Sequence, residues 1–288
     1  MSRFTDQTLA TIERLRRRDD ERVSEAGRTK LLLHGDEVRP LSVVLFHGLS
    51  ASPTQFVRFA HDLHDRGHNV VVPRLPRHGH EDRLSRALAH LTAEDLRRFA
   101  RESIVLARGL GENVVVAGFS LGGLLATWIA ENEPVERAVA IAPFFGISWI
   151  PNRFMKHLSR AVLRLPNRFQ WWDPIQRERL GPAHGYPRYA THALAQSYLL
   201  AREVIDAADR GIAAKQLIFV TNAREAAVNN RAVQRLESHL RACDPSRLAH
   251  VVLTGIPLSH DIIEPLRHPE IANRVYPRLL ALIEGTSA

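Results

Sequence analysis

The sequence predicts an α/β architecture, a mostly parallel central sheet with helices on both faces, and three observations predict it. Short apolar, β-branched runs alternate with segments of helical periodicity in both halves of the chain, which is the pattern of repeated strand, helix, strand units. Hydrophobic residues make up 45% and charged residues 24% of 288, enough apolar side chain for a large core. The alternation breaks only once, between residues 144 and 190, where five prolines and three of the four tryptophans fall. A single interruption of that kind marks an insertion into one fold.

Taken in order, residues 5–25 form a polar helix with Leu9, Ile12 and Leu15 on one stripe, within an N-terminal helical extension of residues 1–30. Residues 30–34 and 41–46 are apolar strands separated by Gly35, Asp36 and Pro40, a hairpin-like arrangement. The second runs straight into His47 and Gly48. An amphipathic helix over 53–66 is closed by Gly67, and a strand over 69–72 is stopped by Pro73. Thr92 is an N-cap candidate for a helix reaching residue 110. A strand over 113–117, a helix over 121–132 and a strand over 138–142 complete the first part of the core, residues 31–143. Residues 144–190 are expected to form a small cap, or lid. The second part of the core, 191–288, holds helices over 193–209, 228–241 and 269–284 and strands over 216–221 and 250–254.

The formal charge is +8, and all but three of the 39 basic residues are arginine. They are spread along the chain. The one dense run, Arg14 to Arg18, is followed by Asp19, Asp20 and Glu21, as on a solvated helix face, so no nucleic-acid partner is expected. The single cysteine, Cys243, has no partner for an intrachain disulfide. No window of 18 uncharged apolar residues occurs and the first residues lack a secretory apolar run, so the cytoplasm is the expected compartment.

The chemistry concentrates at Gly118-Phe119-Ser120-Leu121-Gly122, between the strand at 113–117 and the helix at 121–132. A serine on a sharp strand-to-helix turn is a nucleophile elbow, whose flanking positions must lack bulk so that helix and strand approach closely. A serine hydroxyl is a weak nucleophile near neutral pH and needs a base, which in turn needs a group that orients it. His260, after the last strand, is the expected base, with His268 as the nearest rival. The acid is expected after the strand at 216–221, where Glu225 is the only carboxylate; Asp261 lies too close along the chain to His260. An oxyanion requires backbone N–H donors: Leu121, next to the serine, and Leu49, after His47-Gly48, are the candidates. Phe144, Phe145, Trp149, Trp171 and Trp172 are expected to line an apolar acyl pocket. His47, His78 and His80 lack carboxylate or cysteine neighbours at ligand spacing, and no phosphate-binding or dinucleotide glycine pattern is present, so neither metal nor cofactor is expected.

The run VVLFHG at residues 43–48, PRLPRHGH around His78, GFSLGG at the elbow and the SHD containing His260 resemble the monoglyceride lipase and carboxylesterase branch of the α/β hydrolases, sometimes grouped with the serine aminopeptidases. The resemblance covers residue 31 to the end. It implies the α/β-hydrolase fold, with Ser120 as nucleophile, Glu225 as acid, His260 as base and Leu49 and Leu121 as oxyanion donors. Two positions depart from it: Glu225 stands where relatives usually carry aspartate, and Arg77 where they commonly carry glycine. The expectation is a serine hydrolase that cleaves a small-molecule carboxylic ester through an acyl-enzyme. An amidase or aminopeptidase, a carbon–carbon bond hydrolase and a non-enzymatic binding protein are the alternatives, and the substrate and oligomeric state are left open.

Overall fold

The computed structural model describes residues 2–17, 19, 22–175 and 184–286. The expectations that fall on Arg18, Asp20, Glu21 and residues 176–183 of the insertion lie outside them.

Seven strands form one sheet in the order β1-β3-β2-β4-β5-β8-β9. They are β1 (Lys30–Leu32), β2 (Arg39–Phe46), β3 (Asn69–Val72), β4 (Gly111–Phe119), β5 (Arg137–Ile141), β8 (Leu217–Asn222) and β9 (Leu248–Leu253). Every pairing is parallel except β1 with β3. Val43 to Phe46 and Val114 to Phe119 are buried without alternation, as in a parallel sheet covered on both faces. The helices α2 (Val57–Asp65), α3 (Ala93–Arg108), α4 (Leu121–Asn132), α7 (Asn230–Cys243) and α8 (Pro269–Glu284) pack against this sheet.

Three local expectations are corrected. Residues 30–46 do not make a hairpin: β1 pairs with β3, in register Leu31 with Val71, while β2 lies between β3 and β4. The buried Asn69 explains the detour. Its carboxamide accepts from the His34 N–H at 2.9 Å and donates to the Glu37 and Leu110 carbonyls at 2.8 Å each, pinning the connecting loop across the end of β3. The first helix, α1 (Asp6–Arg17), is shorter than its periodicity implied. Asp19 turns away to accept from the Thr29 N–H and from Arg74, both at 2.8 Å, a side-chain alternative to the next helical turn. The helix over 53–66 opens as a 3₁₀ turn over Pro53–Phe56 before α2 begins, consistent with proline at its first position. By contrast, Thr92 caps α3 in a reciprocal capping box with Asp95.

Between β5 and α6 (Thr191–Ala207) the chain leaves the sheet. This segment contributes α5 (Asn152–Arg164) and a two-stranded antiparallel ribbon, β6 (Phe169–Trp171) with β7 (Arg188–Ala190). It reaches the loops at the carboxyl ends of the strands through Tyr186, whose N–H donates to the Ser50 carbonyl and whose hydroxyl donates to the Arg77 carbonyl at 3.1 Å.

Candidate active site

Parallel α/β sheets place their functional loops at the carboxyl ends of the strands, and β4, β8 and β9 lead there into Ser120, the Glu225 turn and the His260 loop. Ser120 occupies a left-handed conformation, φ 56° and ψ −109°, between the last residue of β4 and the first of α4, the strained geometry of a nucleophile elbow. Two glycines make it possible. A Cβ on Gly118 would stand 2.1 Å from the Gly122 carbonyl oxygen, and one on Gly122 would stand 1.9 Å from that of Phe46. The turn is therefore closed to any side chain at either position.

The structure brings Ser120, His260 and Glu225 together. His260 Nε2 lies 3.0 Å from Ser120 Oγ, and His260 Nδ1 lies 2.9 Å from Glu225 Oε2. The carboxylate can only accept, so Nδ1 carries the proton and Nε2 is left to accept from the serine. Glu225 is anchored by its other oxygen, which accepts from the Ala227 N–H at 2.7 Å and the Val228 N–H at 3.3 Å. Burial disfavours its charge, but the hydrogen bond and charge of His260 and the two N–H groups outweigh that and hold the carboxyl below its ordinary pKa of 4.5. Asp261 faces elsewhere, accepting from Gln55 Nε2 at 2.9 Å and from the Ile263 and Glu264 N–H groups. His268 is the N-cap residue of α8.

Leu121 opens α4, so its N–H has no acceptor within the helix. Around Leu49 the backbone is committed residue by residue: the Gly48 N–H donates to Gln55 Oε1 at 2.9 Å, Ser50 N–H to His78 Nε2 at 3.0 Å and Ala51 N–H to the Gly48 carbonyl at 3.2 Å. Leu49, Leu121, Ser120 and His260 all border one cavity.

Sequence reasoning missed the supports of this loop. His47 and His78 are wholly buried with rings in edge contact; among the described residues no three His, Cys, Asp or Glu are grouped to hold a metal. Each accepts from a backbone N–H, Leu75 to His47 Nε2 and Ser50 to His78 Nε2. Burial pushes His47 well below its ordinary pKa, helped by His78, and brings His78 down to about 4. Both are therefore neutral acceptors at neutral pH. Arg77 adopts φ 66°, the left-handed conformation for which glycine is the usual residue. A second support is Asn222, whose buried carboxamide nitrogen donates to the Pro257 and Ser259 carbonyls at 3.3 and 3.0 Å while its oxygen accepts from the Arg224 N–H at 3.0 Å. One side chain thus ties the Glu225 turn to the His260 loop. Nothing in its local sequence distinguishes it from a turn asparagine.

Two cavities meet at Ser120. One, about 190 Å³, is lined by Leu49, Leu121, Phe144, Ile147, Trp149, Trp172, Tyr189, Leu194 and Val228, with Ser197 and Ala227. The other, about 290 Å³, carries Gln55, Ser259, Asp261, Arg267 and His268. Of the aromatic residues expected in the pocket, Phe144, Trp149 and Trp172 line the first cavity; Phe145 and Trp171 do not. Phe145 is fully buried in the hydrophobic core. Trp171 ends β6, and Trp172 follows it at a bend. Trp172 reaches the site, its indole N–H donating to Ser50 Oγ at 2.6 Å. Ile147 and Leu194, which also line it, carried no aromatic cluster or motif to reveal them.

The sequence matches the alpha/beta hydrolase family over residues 43–271. No match is found by sequence among curated proteins. Among solved structures, the chain resembles one from a report on two metagenome-derived lipolytic enzymes, LipS and LipT, at 15% identity over 91% of this chain and 99% of that one, with a TM-score of 0.71. It resembles the monoacylglycerol lipase of Paleococcus ferrophilus at 19% identity, over 88% and 98% of the two chains, with a TM-score of 0.66. A soluble variant of the monoglyceride lipase of Saccharomyces cerevisiae is similar at 14% identity, over 90% and 92%, with a TM-score of 0.65. At such identities the likeness is one of fold.

Proposed function

We propose that the chain, which belongs to the alpha/beta hydrolase family, is a serine hydrolase that cleaves a small-molecule carboxylic ester through an acyl-enzyme on Ser120. The observation that carries this reading is the unbroken relay in which His260 stands 3.0 Å from Ser120 Oγ and 2.9 Å from the Glu225 carboxylate. His260 Nε2 takes the hydroxyl proton as Oγ attacks the ester carbonyl. The carbonyl oxygen, now an anion, is met by the Leu49 and Leu121 N–H groups, fixed donors that need no reorganisation as charge develops. Collapse of this intermediate expels the alcohol, which leaves with the proton from His260. Water, deprotonated by the same nitrogen, then releases the carboxylic acid and restores Ser120. Glu225 keeps the imidazole in the Nδ1–H tautomer and stabilises the imidazolium.

The two cavities divide the substrate. The one bounded by Phe144, Ile147 and Leu194 takes the acyl chain, and the other, which carries Gln55, Asp261 and Arg267 beside Phe119 and Trp172, takes the alcohol. Residues 144–190 act as the cap that separates the sheet from this entrance, and no cofactor takes part. Labelling with a fluorophosphonate tests the assignment: the expected result is one adduct, on the peptide containing Ser120, and its loss in His260→Ala. An intact chain left unlabelled would point to a binding protein on the same fold. Hydrolysis of a panel of p-nitrophenyl esters against the corresponding anilides decides between ester and amide.

A further inference from the structure

Gln55 lies in the 3₁₀ turn over Pro53–Phe56 and is 2% exposed. A carboxamide offers an acceptor and a donor at the same end, and Gln55 uses both on the loops that carry the chemistry. Its Oε1 accepts from the Gly48 N–H and its Nε2 donates to Asp261 Oδ2, each at 2.9 Å. The partners fix this orientation, since an N–H can only donate and a carboxylate can only accept. Gly48 precedes Leu49, and Asp261 follows His260. The other oxygen of Asp261 accepts from the Ile263 and Glu264 N–H groups at 3.1 and 3.0 Å, which anchors the carboxylate in its own loop. A continuous path of hydrogen bonds therefore runs from the residue before the candidate oxyanion donor to the residue after the candidate base.

A buried glutamine can serve simply to satisfy its neighbours. Gln55 is placed for more, because both of its partners belong to the site and it borders the same cavity as Leu49, Ser120 and His260. Asn222 ties the acid turn to the base loop, and His78 holds the Ser50 N–H; Gln55 joins the oxyanion loop to the base loop. An oxyanion donor lowers the barrier only if it is already aimed at the oxygen that gains charge, and an error of about 1 Å in such a group can cost on the order of a hundredfold in rate. Without a tie between the two loops, His260 could be correctly set on Ser120 while the Leu49 N–H was not.

We propose that Gln55 is a positioning residue that ties the Leu49 loop to the His260 loop through Asp261, and so sets oxyanion donor and base relative to one another. The inference rests on the hydrolase reading above. Exchanging the two polar roles tests it. Gln55→Glu sets two carboxylates face to face, whereas Gln55→Glu with Asp261→Asn keeps the net charge and reverses the bond: the new carboxylate still accepts from Gly48, and the new amide supplies the donor. In hydrolysis of p-nitrophenyl butyrate, Gln55→Glu is expected to lose about 10- to 100-fold in kcat with KM within about threefold, and the double variant to recover most of that loss. Asp261→Asn alone, which leaves Gln55 on Gly48, should cost less than about tenfold. The Ki of an alkyl trifluoromethyl ketone should rise as kcat falls, because Ser120 Oγ adds to its carbonyl carbon, the hydroxyl proton passes to His260 and the adduct carries an oxyanion. Gln55→Met removes both bonds without adding charge and should behave as Gln55→Glu does, including where the latter fails to fold. Hydrogen exchange, which needs no substrate, should quicken over residues 47–51 and 259–262 together in Gln55→Met. A glutamine that only supports the fold would lower the melting temperature and leave kcat and Ki of the folded protein unmoved, and that result overturns the proposal, as does a double variant no better than Gln55→Glu. A wild-type chain that turns over esters with Gln55→Glu as its equal removes this inference and keeps the hydrolase reading. A wild-type chain that neither hydrolyses esters nor takes up fluorophosphonate removes that reading, and the exchange result then stands for the tie between the loops.

Discussion

Two helices of nearly equal length divide the labour of this molecule. α4 buries ten of its twelve residues and α5 buries two of its thirteen. α4 is apolar all round, as a helix must be when it is packed on every side, and its first turn sits so close to β2 that Gly122 admits no Cβ. That rigidity holds Ser120 in a strained conformation and aims the Leu121 N–H. α5 packs chiefly against α6 and leaves Phe154 and Leu158 exposed on its outer side. The difference separates a region in which geometry is over-determined, suited to chemistry, from one whose outer side is left to solvent.

Substitutions should sort along the same line. The largest effect is expected at the elbow: Ser120→Ala should lower kcat by about 10⁴- to 10⁶-fold with an unchanged melting temperature, read from p-nitrophenyl ester hydrolysis and thermal unfolding. Activity above a few per cent of wild type would place the nucleophile elsewhere. Glu225→Gln should cost about 10²- to 10⁴-fold in kcat with little change in KM, while Glu225→Asp retains part of the activity. Asp261→Asn, whose partners are Gln55 and backbone N–H groups, should leave the triad working; the opposite ranking would reassign the acid.

A third effect falls on stability. His78 is neutral in the fold down to about pH 4, against an ordinary value of 6.5. Above pH 6.5 neither state binds its proton. Between 6.5 and 4 the unfolded chain does and the folded one does not, so stability falls with pH through that window, by roughly 3 kcal/mol when complete. His47 acts in the same sense, and Glu225, whose folded pKa is lowered, withdraws its contribution further down as its carboxylate protonates. Urea unfolding at a series of pH values should show this decline, and His78→Gln should flatten it; a flat wild-type profile from pH 7 to 4 would contradict the buried neutral imidazole.

Smaller again is Asn222→Ala, which leaves the Pro257 and Ser259 carbonyls without their donor. It should lower stability by about 1 to 3 kcal/mol and kcat by up to about a hundredfold through misplacement of His260, and a pure stability loss with normal kcat in the folded fraction would deny the link between the two loops. The smallest effect belongs to the apolar cavity. Leu194→Ala should move the preferred p-nitrophenyl ester toward longer chains, with less than about a tenfold change in kcat/KM at the new optimum. An unmoved optimum would take Leu194 out of the acyl path.

Much of this was legible in the sequence because it is local. The strand at 69–72, the helix at 121–132 and the helix at 269–284 coincide with β3, α4 and α8 to the residue, since an apolar run bounded by proline or glycine leaves one low-energy choice. Ser120 was marked by glycines whose spacing is a steric requirement, and Glu225 and His260 by their places after particular strands. What the tertiary structure alone decided depends on contacts between distant segments. The pairing of β1 with β3 rests on Asn69 meeting His34, Glu37 and Leu110. The roles of His47, His78 and Asn222 exist only once loops 28 to 37 residues apart converge. Whether Phe145 or Trp171 reaches the cavity, and whether Phe154 and Leu158 on α5 face the core or solvent, depends on what else packs against them. Local sequence encodes the elements because backbone conformation and steric fit act over a few residues; burial, protonation and exposure are properties of the assembled neighbourhood, and only the fold sets them.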